Sequence, residues 1–285
     1  MNGPRTPPET PPETPPKTPN ITIKMEIPTM TRPFLAVLAL LAGLTALATL
    51  VPPAQALDLE RLSDAERAAF RAEVRAYLLD NPEVIMEAVS VLEQRQAAAQ
   101  ADNDAALIAS NAAAIFEDPR SWVGGNPEGD ITLVEFMDYR CGYCRRAQPE
   151  VRELIEGDGN IRFVVKEFPI LGEQSVLAAR FAIATLQQAG ADAYESIHDA
   201  LMAFNGDIDT GALRRLGDSL GLDTQAIMAR MDSPEVTQVI ADNHRLAQKL
   251  GISGTPSFVM QERLLRGYLP LEAMQALAAD IRAGG

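Results

Sequence analysis

The chain has 285 residues, 47% of them hydrophobic and 22% charged, so it is too apolar for wholesale disorder and long enough for one large domain or two modest ones. With 25 Lys and Arg against 39 Asp and Glu, its formal net charge of -14 argues against nucleic acid as a partner, because phosphate binding needs a basic face. Two cysteines are too few for a disulfide scaffold, but they stand three positions apart and carry most of the functional signal.

Residues 1–29 hold 9 of the 20 prolines and repeat Thr-Pro-Pro-Glu from Thr6, a pattern that stays extended and cannot pack a core. Thr31-Arg32-Pro33 then leads into an apolar run of 18 residues, 34–51, followed by the small-x-small site Ala54-Gln55-Ala56. Basic start, apolar middle and cleavage site follow the order of an exported signal peptide; an uncleaved membrane anchor is the alternative. Residues 1–56 are read as leader, with Met25 or Met30 as alternative starts. Export would place the cysteines where disulfides persist.

Residues 57–113 read as a helical N-terminal segment. Ser63 and Glu66 make a capping box, and Phe70, Val74, Tyr77 and Leu78 recur on one face. Asn81-Pro82 stops that helix and starts another. Ile85, Val89 and Leu92 continue the stripe, whereas 94–114 is Ala- and Gln-rich with almost no stripe. Such a segment is covered by other copies of the chain, or runs as a solvated stalk.

Gly124-Gly125-Asn126-Pro127 marks a boundary. Residues 131–138 are apolar on both parities, as in a strand covered on both faces. The cysteine pair follows, then a helical stretch to about Glu156, a turn at Gly157-Asp158-Gly159-Asn160 and a second strand, 161–168. That order predicts a βαβ unit with a right-handed crossover. Residues 173–250 read as a helical region broken near Gly190, Gly206, Gly221 and Ser233-Pro234. A hairpin of Ser257–Met260 and Arg263–Arg266 and an amphipathic helix over 271–283 complete the chain.

Cys141-Gly142-Tyr143-Cys144, directly after a buried strand and opening a helix, is a redox arrangement. The first sulfur meets the free N–H groups and dipole of the helix start, which favour thiolate. The second, one turn on, closes a disulfide and resolves a mixed disulfide. Arg140, Arg145 and Arg146 add positive charge around the pair or form a solvated face. A purely structural disulfide here stabilises by only about 2 kcal/mol. Zinc needs about four ligands, and only His198 and His244 are available, so no metal is expected and both histidines are read as structural.

Glu135 shares strand parity with Ile131, Leu133 and Met137. A carboxylate among apolar neighbours has a raised pKa and suits a proton shuttle for the buried sulfur; pairing with Lys166 of the adjacent strand is the structural alternative. A reading from another class is Cu(I) binding, with two thiolates and the soft thioethers of Met228 and Met231, a spacing that also suits helix packing.

The cysteine motif after Val134-Glu135-Phe136-Met137-Asp138, with Gly254-Thr255-Pro256 before a late strand, resembles the thioredoxin-fold Dsb family of bacterial thiol-disulfide oxidoreductases over residues 114–285. Residues 173–250 correspond to the inserted helical subdomain of DsbA-like proteins. Gly-Tyr between the cysteines and Thr before the proline are closer to the isomerases DsbC and DsbG than to the oxidase DsbA, and 57–113 resembles the N-terminal helices of ScsC. The resemblance implies an α/β thioredoxin-like fold with an inserted helical subdomain behind a helical N-terminal segment. It implies Cys141 and Cys144 as a redox-active disulfide needing no further cofactor, with Glu135 beneath them. It also implies that Gly142, Tyr143, Thr255 and Pro256 bind substrate, with Thr255-Pro256 cis. The function implied is a periplasmic isomerase or reductase, or alternatively a disulfide-forming oxidase, acting on unfolded or misoxidised exported proteins. Its implied partners are a DsbD/ScsB-like membrane reductase or a DsbB-like oxidase and further copies of itself, with no nucleic acid.

Overall fold

The computed structural model describes residues 62–284; the expected leader, 1–56, lies outside them. The chain divides into two compact units between Asp80 and Asn81. The first contains α1 (Asp64–Asp80). Its start is the predicted capping box: the Ser63 N–H and hydroxyl donate to Glu66 Oε2 at 2.9 and 2.6 Å, and the Glu66 N–H donates to Ser63 Oγ at 3.3 Å.

The second unit opens with α2 (Glu83–Ser110) and α3 (Ala112–Phe116), followed by β1 (Trp122–Gly125), β2 (Ile131–Met137), α4 (Gly142–Asp158) and β3 (Ile161–Glu167). Then come α5 (Glu173–Ala189), α6 (Ala191–Ala203), α7 (Thr210–Ser219), α8 (Thr224–Met231) and α9 (Pro234–Lys249). The hairpin β4 (Ser257–Met260) and β5 (Arg263–Arg266) and the helix α10 (Leu271–Arg282) close it. The sheet order is β1-β3-β2-β4-β5. Only β2 and β3 are parallel, Ile131 opposite Ile161 through Met137 opposite Glu167, as the predicted βαβ unit requires. The architecture is α/β, with helices on both faces of one mixed sheet.

The helical region is punctuated by local chemistry. Gly190 separates α5 from α6 at φ 85°, and Gly221 turns the chain after α7 at φ 72°. Asp209, Asp223 and Ser233 cap α7, α8 and α9 by accepting the N–H three residues on, at 2.6, 3.0 and 3.3 Å. Pro149 lies inside α4, which continues through it to Asp158.

Two features depart from the sequence reading. Gly124 and Gly125, read as a boundary, belong to edge strand β1, antiparallel to β3. The Trp122 ring lies across Gly124, where a Cβ would sit 2.1 Å from the ring, so glycine is what admits the tryptophan. The second departure is the end of α2. Residues 94–114 carry few apolar groups, yet Ile108 and, beyond α2, Ile115 are 2% and 0% exposed in a core with Val134, Phe136, Val164 and Val259. Asp104, also buried, accepts from both terminal nitrogens of Arg266 on β5 at 2.7 and 2.8 Å, which holds its carboxyl below the usual range. Farther up the helix, Ile85, Met86, Val89 and Leu92 are exposed. Among the described residues, no helix is long and apolar enough to cross a membrane.

Ile108→Ala is expected to lower unfolding free energy by about 2–5 kcal/mol, the range for emptying a well-packed aliphatic site. Asp104→Ala should also destabilise, by about 1–3 kcal/mol, because it removes charged hydrogen bonds from a buried position. Equilibrium urea unfolding followed by circular dichroism measures both.

Candidate functional site

Cys141 is the N-cap of α4, in extended conformation (φ -77°, ψ 117°). Its sulfur accepts the Cys144 N–H at 3.4 Å, and as a thiol it donates to the Thr255 carbonyl at 3.1 Å. That contact joins positions 114 residues apart. The Cys141 thiol is held down at about 5, foremost by the hydrogen bond from the Cys144 side chain. Burial opposes this; the Thr255 side chain and the N–H groups of Cys144 and Tyr143 reinforce it. Cys144 is wholly buried, and its thiol is pushed far up because it donates to Cys141, lies out of water and faces the Glu135 carboxyl. Both are free thiols here, one poised to ionise and the other held protonated.

The rim is built from the remaining expected residues. A Cβ on Gly142 would meet nothing within 4 Å, so the approach to Cys141 is open at that side. Tyr143 is 61% exposed, with its ring 6.2 Å from Tyr268, over which the Arg146 guanidinium lies at 4.8 Å. The Thr255–Pro256 bond is cis. Arg140 donates to the Gly206 carbonyl at 3.0 Å, and Arg145 donates to the Tyr139 carbonyl at 2.9 Å and Asn205 at 3.3 Å. These two arginines tie the active-site loop to the segment between α6 and α7; hydrogen bonds, rather than the arginines, lead the depression of Cys141.

Glu135 is 3% exposed and lines a cavity of about 230 Å³ with Trp122, Val151, Ile155, Phe163 and His198. Its Oε1 has no hydrogen-bond partner. Burial, then the negative charges of Cys141 and Glu167, push its carboxyl up to about 8. The alternative pairing with Lys166 is overturned by the register. Lys166 stands opposite Phe136, not Glu135, so it points to the other face. There it donates to the Ala114 carbonyl at 2.8 Å and reaches Asp118 at 3.4 Å.

Sequence reading missed a second buried carboxyl. Glu167 accepts from the hydroxyls of Tyr139 at 2.8 Å and Tyr194 at 2.6 Å, and burial pushes it up to about 8. His198, read as structural, shares the Tyr139 hydroxyl at 3.1 Å, and burial holds it down to about 4. The signal was present: Glu167 continues the inward parity of Ile161, Phe163 and Val165, as Glu135 does on β2. Asp138 holds the loop, accepting the N–H groups of Arg140, Ile170 and Leu171 at 2.7, 2.8 and 3.0 Å. Met228 and Met231 pack into or against the core, so the thioethers invoked for copper serve packing. Among the described residues, no cluster of three His, Cys, Asp or Glu side chains is arranged to hold a metal.

The family model of the DSBA-like thioredoxin domain matches residues 132–279, more than half of the chain, a span that includes Glu135, Cys141, Cys144, Glu167, Thr255 and Pro256. The chain belongs to the DSBA-like thioredoxin domain family. Within this DSBA-like chain, residues 66–99 also match the copper resistance protein ScsC N-terminal domain. A solved thioredoxin-like oxidoreductase from Silicibacter pomeroyi is 46% identical, with TM-score 0.57, covering 60% of this chain and 97% of that one. Proteus mirabilis ScsC in a transitional conformation is 26% identical, with TM-score 0.57, covering 79% of this chain and 99% of that one. The Na(+)/H(+) antiporter NhaA 1 of Salinispora arenicola is 31% identical over 58% of this chain but only 25% of its own length, so the chain spans about a quarter of such curated relatives.

The alkylation rate of Cys141 should be half-maximal near pH 5 and fall below it as the thiolate takes up its proton, while Cys144 stays unreactive. Cys144→Ala removes the leading hydrogen bond, so the Cys141 midpoint should rise toward the free value of about 8.5. Iodoacetamide trapping against pH, read by mass spectrometry, measures both.

Proposed function

We propose that this protein is an exported thiol-disulfide oxidoreductase that acts in the periplasm, chiefly as an isomerase or reductase of misoxidised proteins. The observation that carries the reading is the Cys141 sulfur at the start of α4, beside the Cys144 N–H and the Thr255 carbonyl, with a buried carboxyl beneath. The Cys141 thiolate attacks a substrate disulfide; a mixed disulfide forms and one substrate thiolate leaves. Cys144 then passes its proton to the Glu135 carboxylate and attacks Cys141 Sγ. The Cys141–Cys144 disulfide forms and the second substrate thiolate departs, so two electrons move from the dithiol to the substrate. When the freed substrate thiolate attacks the mixed disulfide first, the substrate is isomerised with no net electron transfer.

Thr255 and Pro256 stand beside the attacking sulfur, where an extended substrate segment can pair with the backbone, and Gly142 and Tyr143 form the opposite rim. The exposed Ile85, Met86, Val89 and Leu92 face supports self-association, which would exclude bulky redox partners from the site. A second reading, disulfide-forming oxidase, is favoured by the low Cys141 pKa, because a stabilised thiolate makes the disulfide more oxidising. A membrane reductase of DsbD/ScsB type would sustain the first direction and a DsbB-like oxidase the second.

Cys141→Ser should abolish exchange, and Cys144→Ser should accumulate mixed disulfides with exported proteins; non-reducing gels after acid trapping read both. The same trapping on the native protein decides direction, since an isomerase is held as dithiol and an oxidase as disulfide. The combined variant Ile85→Asp, Val89→Asp, Leu92→Asp should convert an oligomer to monomer by light scattering, with loss of isomerase activity and retention of thiol oxidation. A wild-type protein already monomeric at micromolar concentration would sink the isomerase reading.

A further inference from the structure

The buried face beneath the cysteines carries two carboxyls, whereas the exchange mechanism uses one. In the parallel β2–β3 register Glu135 stands opposite Val165, and Met137 opposite Glu167. Both carboxyls therefore point to the same side of the sheet, two residues apart along adjacent strands. Each is 3% exposed, each has an oxygen without a hydrogen-bond partner, and among the described residues neither has a salt bridge. Glu167 is moreover tied to the active-site loop, since the Tyr139 hydroxyl that it accepts belongs to the residue two before Cys141.

Resting on the thiol-exchange reading above, we propose that Glu167 is a positioning residue that sets the pH at which Glu135 can take the proton of Cys144. Two carboxylates on one dry face cannot both ionise freely, so the charge on one delays ionisation of the other and the pair loses its protons in two steps. The Tyr139 and Tyr194 hydroxyls stabilise the ionised form of Glu167, and so favour charge on the carboxyl farther from the sulfurs. The negative charge of Glu167 raises Glu135 accordingly, and both groups sit near 8.

Among the described residues, no cation forms a salt bridge with either carboxyl that would cancel this coupling. From the loop after β2, Asp138 adds negative charge near Glu167. From α4 come Cys141 and Cys144, with Arg152 and Glu156 on the cavity wall. Arg152 is bonded to Asp199. From α6 come Tyr194, the neutral His198, Glu195 and Asp199. Lys166 lies on the opposite face.

The test uses the reduced full chain and an aromatic disulfide reagent, 5,5′-dithiobis(2-nitrobenzoate), in stopped flow. Cys141 attacks the reagent and releases the first chromophoric thiolate; Cys144 then attacks Cys141 Sγ and releases the second, its proton going to Glu135. Glu167→Gln keeps an oxygen for both tyrosine hydroxyls but removes the charge. The midpoint of the second phase should move down by about one pH unit or more, the coupling at which paired sites titrate separately, and the profile should narrow to one step. The first phase should keep its midpoint. Tyr194→Phe, which leaves Glu167 protonated for longer, should shift the second phase the same way by less, and serves if Glu167→Gln does not fold. Coincident second-phase profiles for wild type and the folding variant overturn the proposal, as does an equal shift in both phases. A wild type that releases no second thiolate instead overturns the exchange reading itself.

Discussion

Negative charge is tolerated at one atom in this site and resisted at every ionisable atom beneath it. Cys141 Sγ stands where the first turn of α4 offers its N–H groups and the Cys144 thiol, so hydrogen bonds lead the stabilisation of its ionised form. Cys144, Glu135 and Glu167 lie out of water on the same side of the sheet, where burial favours their protonated forms. A gradient of proton affinity follows from strand register, helix capping and burial. It runs from a thiol near 5 at the start of α4 to carboxyls near 8 beneath it, and in the proposed exchange it sets the order: the Cys141 sulfur attacks first, and Cys144 acts only after a proton has moved.

The loop holding the motif is fixed from several directions. Asp138 gathers three backbone N–H groups, two of them from residues beyond β3. Tyr139 is held through its hydroxyl by Glu167, and Arg140 and Arg145 reach the segment after α6. The helical insertion is thus part of the scaffold that aims Cys141, not an appendage beside it.

What could be read from the sequence follows from how local each determinant is. The βαβ unit was legible because β2 is apolar on both parities and a helical stretch, a glycine turn and a second strand follow it in order, and the helix ends because Gly190, Gly221 and Ser233-Pro234 act within a few residues. The cysteine motif was legible for the same reason. Strand β1 was not, because two of its four residues are glycines with no side-chain pattern, and Trp122 and Val123 alone are too short a run to read as a strand. Nor was the anchorage of α2, since Asp104 pairs with Arg266, 162 residues away. Glu135 and its alternative partner Lys166 could not be separated until the register placed them on opposite faces. Glu167 was legible in principle from its parity, but its meaning depends on tyrosines contributed by a loop and a distant helix.

The Asp104–Arg266 pair has a mechanical consequence. At about 1.5 Å per residue, the 28 residues of α2 make a rod of about 42 Å, riveted at one end to the edge strand β5. Strand β5 is zipped to β4, which leads directly out of Pro256. The rod is thus joined to the sheet one strand away from the segment that carries the Thr255 carbonyl, so the placement of α2 and of the Cys141 contact share one hairpin.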